Sequence, residues 1–101
     1  MRYCFDVDGT ICTVVEDLKY EEARPIQKRI DVVNALHEAG HEIVLQTARG
    51  FQTGCRRTKY ELTKQLKAWG VKYHELHLGK VNADLYVDDK GMDAQLFFHI
   101  M

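Results

Sequence analysis

Phe5-Asp6-Val7-Asp8-Gly9-Thr10 decides how the rest of this chain is read. Side chains two residues apart in an extended strand point the same way, so Asp6 and Asp8, at the end of an apolar run, stand on one side with their charges a few ångströms apart. That juxtaposition is unfavourable unless a cation or a proton offsets it. For a lone D-x-D, an Asx-type turn closing a strand is the plain alternative. The full D-x-D-G-T carries more weight because it falls on the first strand of a short chain in which strands and helices alternate.

Working outward, Tyr3 to Val7 reads as a short buried strand rich in aromatic and branched residues. Ile11 to Arg24 begins with branched residues and continues into a charged stretch, which suits a small hairpin or flap over the Asp6/Asp8 edge. Pro25 fits the first turn of a helix in which Ile26, Ile30, Val33 and Leu36 recur at helical spacing until Gly40. His41 to Gln46 is a second strand ending at Thr47, and Ala48 to Cys55 a loop. Thr58 and Glu61 have the spacing of a capping box, with Leu62, Leu66 and Trp69 on one face before Gly70. Tyr73 to Leu78 and Ala83 to Val87 are a third and fourth strand. The apolar tail Leu96 to Met101 is an edge strand, a core plug or an interface. Asp93 is a further acidic contact or a helix N-cap.

This alternation predicts an α/β fold, a Rossmann-like parallel sheet with helices on both faces. Ligands in such sheets bind beyond the carboxyl ends of the strands. Asp6, Thr47, Lys80 and Asp88 all come at or just after the ends of the four expected strands, so one fold assumption gathers them at one edge.

At 101 residues the chain is one domain, residues 1–101, without room for a second lobe. A net charge of -1 gives no global basic field, so bulk attraction to nucleic acid or anionic membrane is not expected, which leaves only local patches to act on such partners. No apolar run approaches the roughly 20 residues of a membrane span, and no signal-peptide pattern opens the chain, which reads as cytoplasmic. Cys4, Cys12 and Cys55 are odd in number and not closely paired, which favours reduced structural thiols.

Phosphoryl transfer needs an in-line nucleophile, a proton source and positive charge on the equatorial oxygens. Asp6 suits the nucleophile. Asp8 suits the group that protonates the leaving oxygen and later deprotonates water. Asp88 with Asp6 makes an all-oxygen set for a hard ion such as Mg²⁺, with Asp89 acting through a bound water. Lys80 and the Thr47 hydroxyl suit the transferring group. Taken singly, Thr47 is also a strand end, Lys80 a loop lysine, and Asp88-Asp89 ordinary turn chemistry. Arg49, Arg56, Arg57 and Lys59 follow Thr47 with no acidic residue between Glu42 and Glu61. They form either a solvated loop or a grip on a remote anionic group of the substrate.

Read in order, Phe-Asp-Val-Asp-Gly-Thr, Val-Leu-Gln-Thr, Lys80 and Leu-Tyr-Val-Asp-Asp resemble motifs one to four of the haloacid dehalogenase superfamily of aspartyl-nucleophile phosphatases, over nearly the whole chain. The resemblance implies a fold with a haloacid dehalogenase-like core, a short flap and no cap domain. It implies catalytic residues Asp6, Asp8, Thr47 and Lys80, and Mg²⁺ held by Asp6, Asp8, Asp88 and Asp89, with Asp8 also ligating through its carbonyl. Gly9, Thr10, Ala48, Arg49, Arg56 and Arg57 complete the implied substrate-binding set. Thr47-Ala48-Arg49-Gly50 and Trp69-Gly70-Val71-Lys72-Tyr73 are similar to small phosphatases of capsule and surface-polysaccharide biosynthesis, which implies a sugar phosphate or related metabolite as substrate. A nucleotide or a 3'-phosphorylated nucleic-acid end is the alternative. A missing cap implies a large substrate or a neighbouring subunit that closes the site, hence a homo-oligomer.

Other chemistries fall away. The chain contains no serine, which excludes a Ser-His-Asp hydrolase, and it has neither a P-loop nor a cysteine-phosphatase loop. A response-regulator receiver domain carries its acidic pair and phospho-acceptor in the reverse order. A catalytically idle module that binds Mg²⁺ or phosphate stays open as a reading of a different class.

Overall fold

The branched and aromatic runs become three short parallel strands in a computed structural model that describes residues 1–51 and 56–101. Strand β1 is Arg2–Asp6, β2 is Glu42–Gln46 and β3 is Glu75–His77, in the spatial order β1-β2-β3. Helix α1, Gln27–Glu38, joins the first two, and helix α2, Arg56–Trp69, precedes the third. A short helix, α3, Ala94–Ile100, ends the chain. The parallel sheet and its crossover helices are the expected α/β core.

The register sets Tyr3 beside Ile43, Phe5 beside Leu45, and Leu45 beside Leu76, so strand alternation puts all five on one face. Ile30, Val33 and Leu36 of α1 and Leu62 and Leu66 of α2 join that face in one buried cluster. Phe97 and Phe98 of α3 complete it, their rings 5.5 and 5.9 Å from that of Phe5. The other face carries Arg2, Glu42, Glu75 and His77, with Arg2 bridging to Glu42 at 3.7 Å and to Glu75 at 3.2 Å. The apolar side chains of all three helices gather in that cluster, and on the opposite face Val44 is buried as well.

Glycine stops the two long helices in the same way. Gly40 and Gly70 take φ of 95° and 73°, a left-handed geometry that costs a side-chain-bearing residue about 1 kcal/mol or more. His41 N–H then reaches back to the Leu36 carbonyl and Val71 N–H to that of Leu66, each at 3.1 Å, satisfying carbonyls the helix ends would leave open. Asn34 ties α1 to the second stop, donating to the Gly70 carbonyl at 2.9 Å and accepting from Lys72 N–H at 2.8 Å.

Four local expectations change. Pro25 lies outside α1, in an isolated bridge with Cys12, and the helix starts at Gln27. Residues 11–24 close as a loop, through Thr13 N–H to the Arg24 carbonyl at 2.9 Å, and hold one 3₁₀ turn, Tyr20–Glu22, in place of hairpin strands. Thr58 sits within the first turn of α2, which begins at Arg56, so the capping-box spacing does not mark a helix start. Ala83 to Val87 forms no strand: the segment is exposed, with Leu85 77% and Val87 85% accessible. Tyr86 holds it locally, its hydroxyl donating to the Val81 carbonyl and accepting from Ala83 N–H. The tail is helical, capped by the Asp93 carboxylate, which accepts from Leu96 N–H at 3.3 Å. The last part of the Ala48 to Cys55 loop, including Cys55, lies outside the described residues.

Candidate functional site

Asp6 is the last residue of β1, and the chain turns sharply after it. Thr10 and Ile11 N–H both reach the Val7 carbonyl, at 3.1 and 3.0 Å, and Gly9 N–H reaches that of Cys12 at 2.8 Å. Gly9 makes the turn at φ 84°, and a Cβ there would lie 3.2 Å from Val14 Cγ2. Arg29 of α1 braces the turn, donating to the Thr10 carbonyl at 3.2 Å and the Gly9 carbonyl at 3.4 Å. Those two carbonyls face the protein, and nothing in the sequence paired them with Arg29.

Hydrogen bonds along the sheet edge draw the ends of β2 and β3 to the same place. Thr47 N–H donates to the His77 carbonyl at 3.0 Å, Lys80 N–H to that of Thr47 at 2.9 Å, and Gly79 N–H to that of Arg49 at 3.1 Å. The Lys80 ammonium consequently lies 3.9 Å from Asp6 Oδ2 and 4.0 Å from the centre of the Tyr86 ring. Thr47 is fully buried, and its hydroxyl oxygen accepts the Arg49 N–H at 3.1 Å while keeping its own proton to donate.

Asp8 has a partner that the sequence did not suggest. Arg49 meets it as a fork, Nε to Oδ2 at 2.9 Å and Nη2 to Oδ1 at 2.8 Å. The third nitrogen, Nη1, donates to Gln65 Oε1 of α2 at 2.8 Å, and the guanidinium lies against the Tyr20 ring, 4.3 Å from its centre. Arg49 is only 3% exposed, which departs from the outward grip expected of it: its donors are taken up inside the protein. Arg56 and Arg57 are exposed on α2. Arg57 pairs with Glu61 at 3.1 Å, and Arg56 lines a concavity with Lys59, Tyr60 and Thr63. Ala48 stands in the turn after Thr47, its carbonyl accepting from Phe51 N–H at 3.1 Å.

The acidic pair beyond β3 does not join Asp6 and Asp8 in a cluster of metal ligands among the described residues. Asp88 lies in an exposed turn, its Oδ1 accepting from the Lys90 N–H at 2.8 Å and from that of Gly91. Those two donors, chiefly, hold its carboxyl below the ordinary value, and the Lys80 charge adds to the effect. Asp89 is exposed beside it. Among the described residues no three Asp, Glu, His or Cys side chains converge as metal ligands. With Asp8 bound to Arg49 and Asp88 engaged in its own turn, the described carboxylates do not form a preassembled magnesium site. The fourth strand, whose end was expected to bring Asp88 to the edge, is not formed.

Burial pushes the Asp6 carboxyl up from its ordinary value; Lys80 and the Val7 N–H pull it back, and Asp8 adds to the rise. The Cys12 thiol, whose Sγ lies 3.5 Å from Asp8 Oδ1, is pushed up to about 12 by burial first and by Asp8 second. It stays protonated at neutral pH and is no nucleophile. Two concavities, of about 680 and 540 Å³, are lined from Ile26, Arg29, Leu96 and Phe98 and from the Arg56 face of α2. Neither includes Asp6, Asp8, Thr47 or Lys80.

No family model and no curated protein matches the chain. Solved structures do. A crystallised target protein from Vibrio cholerae is 25% identical, with a TM-score of 0.77, over 96% of this chain and 86% of its own. A chain of the Pnkp1/Rnl/Hen1 complex is 13% identical, with a TM-score of 0.60, over 84% of this chain and 30% of its own, a likeness of fold alone.

Proposed function

We propose that this chain is a phosphomonoesterase of the haloacid dehalogenase type, working through an aspartyl phosphate on Asp6. The observation that carries the reading is Lys80 at 3.9 Å from Asp6, fixed by its backbone bond to the buried Thr47 at the ends of three parallel strands. A cation beside a partly desolvated carboxylate offers an incoming phosphate charge complementarity, and the carboxylate a line of attack. In the first step an Asp6 oxygen bonds to phosphorus as the ester P–O bond breaks, and Asp8, protonated on an oxygen that Arg49 has released, gives that proton to the departing oxygen. In the second, water attacks the acyl phosphate, returns a proton to Asp8, and frees Asp6 and phosphate. Lys80 holds the transferring group, and the Thr47 hydroxyl, fully buried behind it, joins only when the edge opens around the substrate.

The proposed cofactor is Mg²⁺, which in such reactions neutralises charge on the phosphoryl oxygens. Its site would require Asp88 to leave its turn. The proposed substrate is a small phosphate ester of the sugar-phosphate class, with a nucleotide or a 3'-phosphorylated end as the alternative. An edge without a lid leaves specificity to the surroundings of the site or to a second copy of the chain.

The assay is hydrolysis of a generic aryl phosphate with Mg²⁺ present. Wild-type turnover is expected, with Asp6→Asn folded and slower by several kcal/mol of transition-state stabilisation, that is by about a thousandfold or more. Near-wild-type activity in Asp6→Asn would defeat the mechanism. A binding module without turnover is favoured by one observation, the closed fork between Arg49 and Asp8. It predicts phosphate binding by the wild-type chain with no hydrolysis at all.

A further inference from the structure

Parts of the chain far apart in sequence meet around the Asp8 carboxylate. Arg49 follows β2, Gln65 belongs to α2, and Tyr20 lies in the loop that closes over residues 11–24. The contacts form a circuit: Asp8 to Arg49 through two bonds of 2.8 and 2.9 Å, Arg49 to Gln65 at 2.8 Å, and Gln65 Nε2 to the Tyr20 carbonyl at 2.8 Å. The Tyr20 ring then returns to the guanidinium at 4.3 Å. A guanidinium fork fixes the plane of a carboxylate as well as its position, which an ammonium cannot do. At 3% exposure Arg49 is not placed to reach out to solvent, whereas Asp8 keeps 22% of its side chain accessible. The buried member therefore holds the accessible one.

From this circuit we propose that Arg49 is the positioning residue for Asp8, and that Gln65 and Tyr20 couple the seating of the 11–24 loop to the geometry of that carboxylate. The catalytic half rests on the reading of Asp8 as proton donor, and it requires one of the two fork bonds to open while the other keeps the carboxyl in place, since a carboxylate that accepts on both oxygens has no proton to give. Its consequence is specific, because only a poor leaving group depends strongly on a well-aimed proton, while a nitrophenolate departs without much help. Loss of the fork lowers kcat selectively for the poor leaving group. A grip on a remote anionic group would leave both of these esters unchanged, a grip on the reacting phosphate would act on KM for both, and damage to the fold would scale all rates alike.

Arg49→Lys keeps the charge and removes the fork, and it is compared with wild type on 4-nitrophenyl phosphate and 4-nitrobenzyl phosphate. We expect kcat for the benzyl ester to fall roughly tenfold more than for the phenyl ester, with KM nearly constant for both. Equal losses on the two esters, or a change confined to KM, overturn the positioning role. Amide hydrogen exchange tests the coupling without reference to turnover: in Arg49→Lys and in Gln65→Ala, residues 13–24 should exchange faster while α1 and β2 stay protected. Unchanged exchange in the loop overturns the circuit. A wild-type chain that hydrolyses neither ester would remove the phosphatase reading and the leaving-group half with it, and the exchange result would still decide the coupling.

Discussion

Asp6 and Lys80 act on each other across 3.9 Å, and the sign of that interaction can be tested by pH. A nucleophilic carboxylate must be ionised, so activity falls as pH drops through the Asp6 value, which burial has raised. The acid limb of kcat/KM should lie above the ordinary aspartate range. Lys80 lowers that value, so Lys80→Gln should move the limb further up while also slowing turnover. A limb that stays in place in the variant would show that Asp6 is not the titrating group. The same shift bears on stability. The folded form holds the Asp6 proton to higher pH than the unfolded chain does, so it binds more protons between the two values and loses stability as pH rises through them. Above that window Asp6→Asn should melt at or above the wild-type temperature, a stabilisation obtained at the expense of function. A clear drop in Tm would mean that the ionised carboxylate is a structural partner.

The elements that were legible in the sequence are those whose signal is local. Ile30, Val33 and Leu36 repeat at helical spacing and are buried, and Gly40 and Gly70 mark helix ends that their positive φ explains. Ile43, Val44 and Leu45 make β2 in the same way. Ala83 to Val87 carries a comparable strand pattern and is not a strand, because a strand needs a partner edge and composition does not supply one. Thr58 and Glu61 matched a capping box, yet helix geometry extends two residues further back. At the site, the sequence marked Asp8 and Arg49 singly but not as a pair, since 41 residues separate them and charges alone do not state which cation meets which anion. Tyr20, Gln65 and Arg29 were missed for the same reason. Packing predicts how the elements respond to substitution. Leu66 of α2 is fully buried, and Leu66→Ala should cost roughly 2–5 kcal/mol in denaturant unfolding. Tyr60 on the exposed side of the same helix is 68% accessible, and Tyr60→Ala should change stability by less than about 0.5 kcal/mol. Comparable losses at the two positions would contradict the assignment of the buried face.

The molecule as a whole has a three-stranded sheet, a strand-end edge that carries Asp6, Thr47 and Lys80, and a solvent-exposed run before α3. No helix among the described residues is long and apolar enough to cross a membrane. Val81, Leu85, Val87 and Met92 are exposed in that run, and Leu96, Ile100 and Met101 on α3, while Phe97 and Phe98 pack inward. If a second copy covers this surface, sedimentation at micromolar concentration should give a dimer, and a monomer would remove the oligomer proposal. Magnesium provides a second whole-molecule test. A cation shared by Asp6 and Asp88 must draw Asp88 out of its turn, and should raise Tm in the wild type and not in Asp88→Asn. No rise in the wild type would end the cofactor proposal. The central claim is covalent chemistry at Asp6, and the most direct measurement is to quench the chain during turnover of an aryl phosphate, reduce it with borohydride and map the product by peptide mass spectrometry. An acyl phosphate on Asp6 predicts conversion of that residue alone to homoserine, dependent on substrate and absent from Asp6→Asn. Sustained turnover with Asp6 unmodified at every quench time, or modification at another carboxylate, would contradict it.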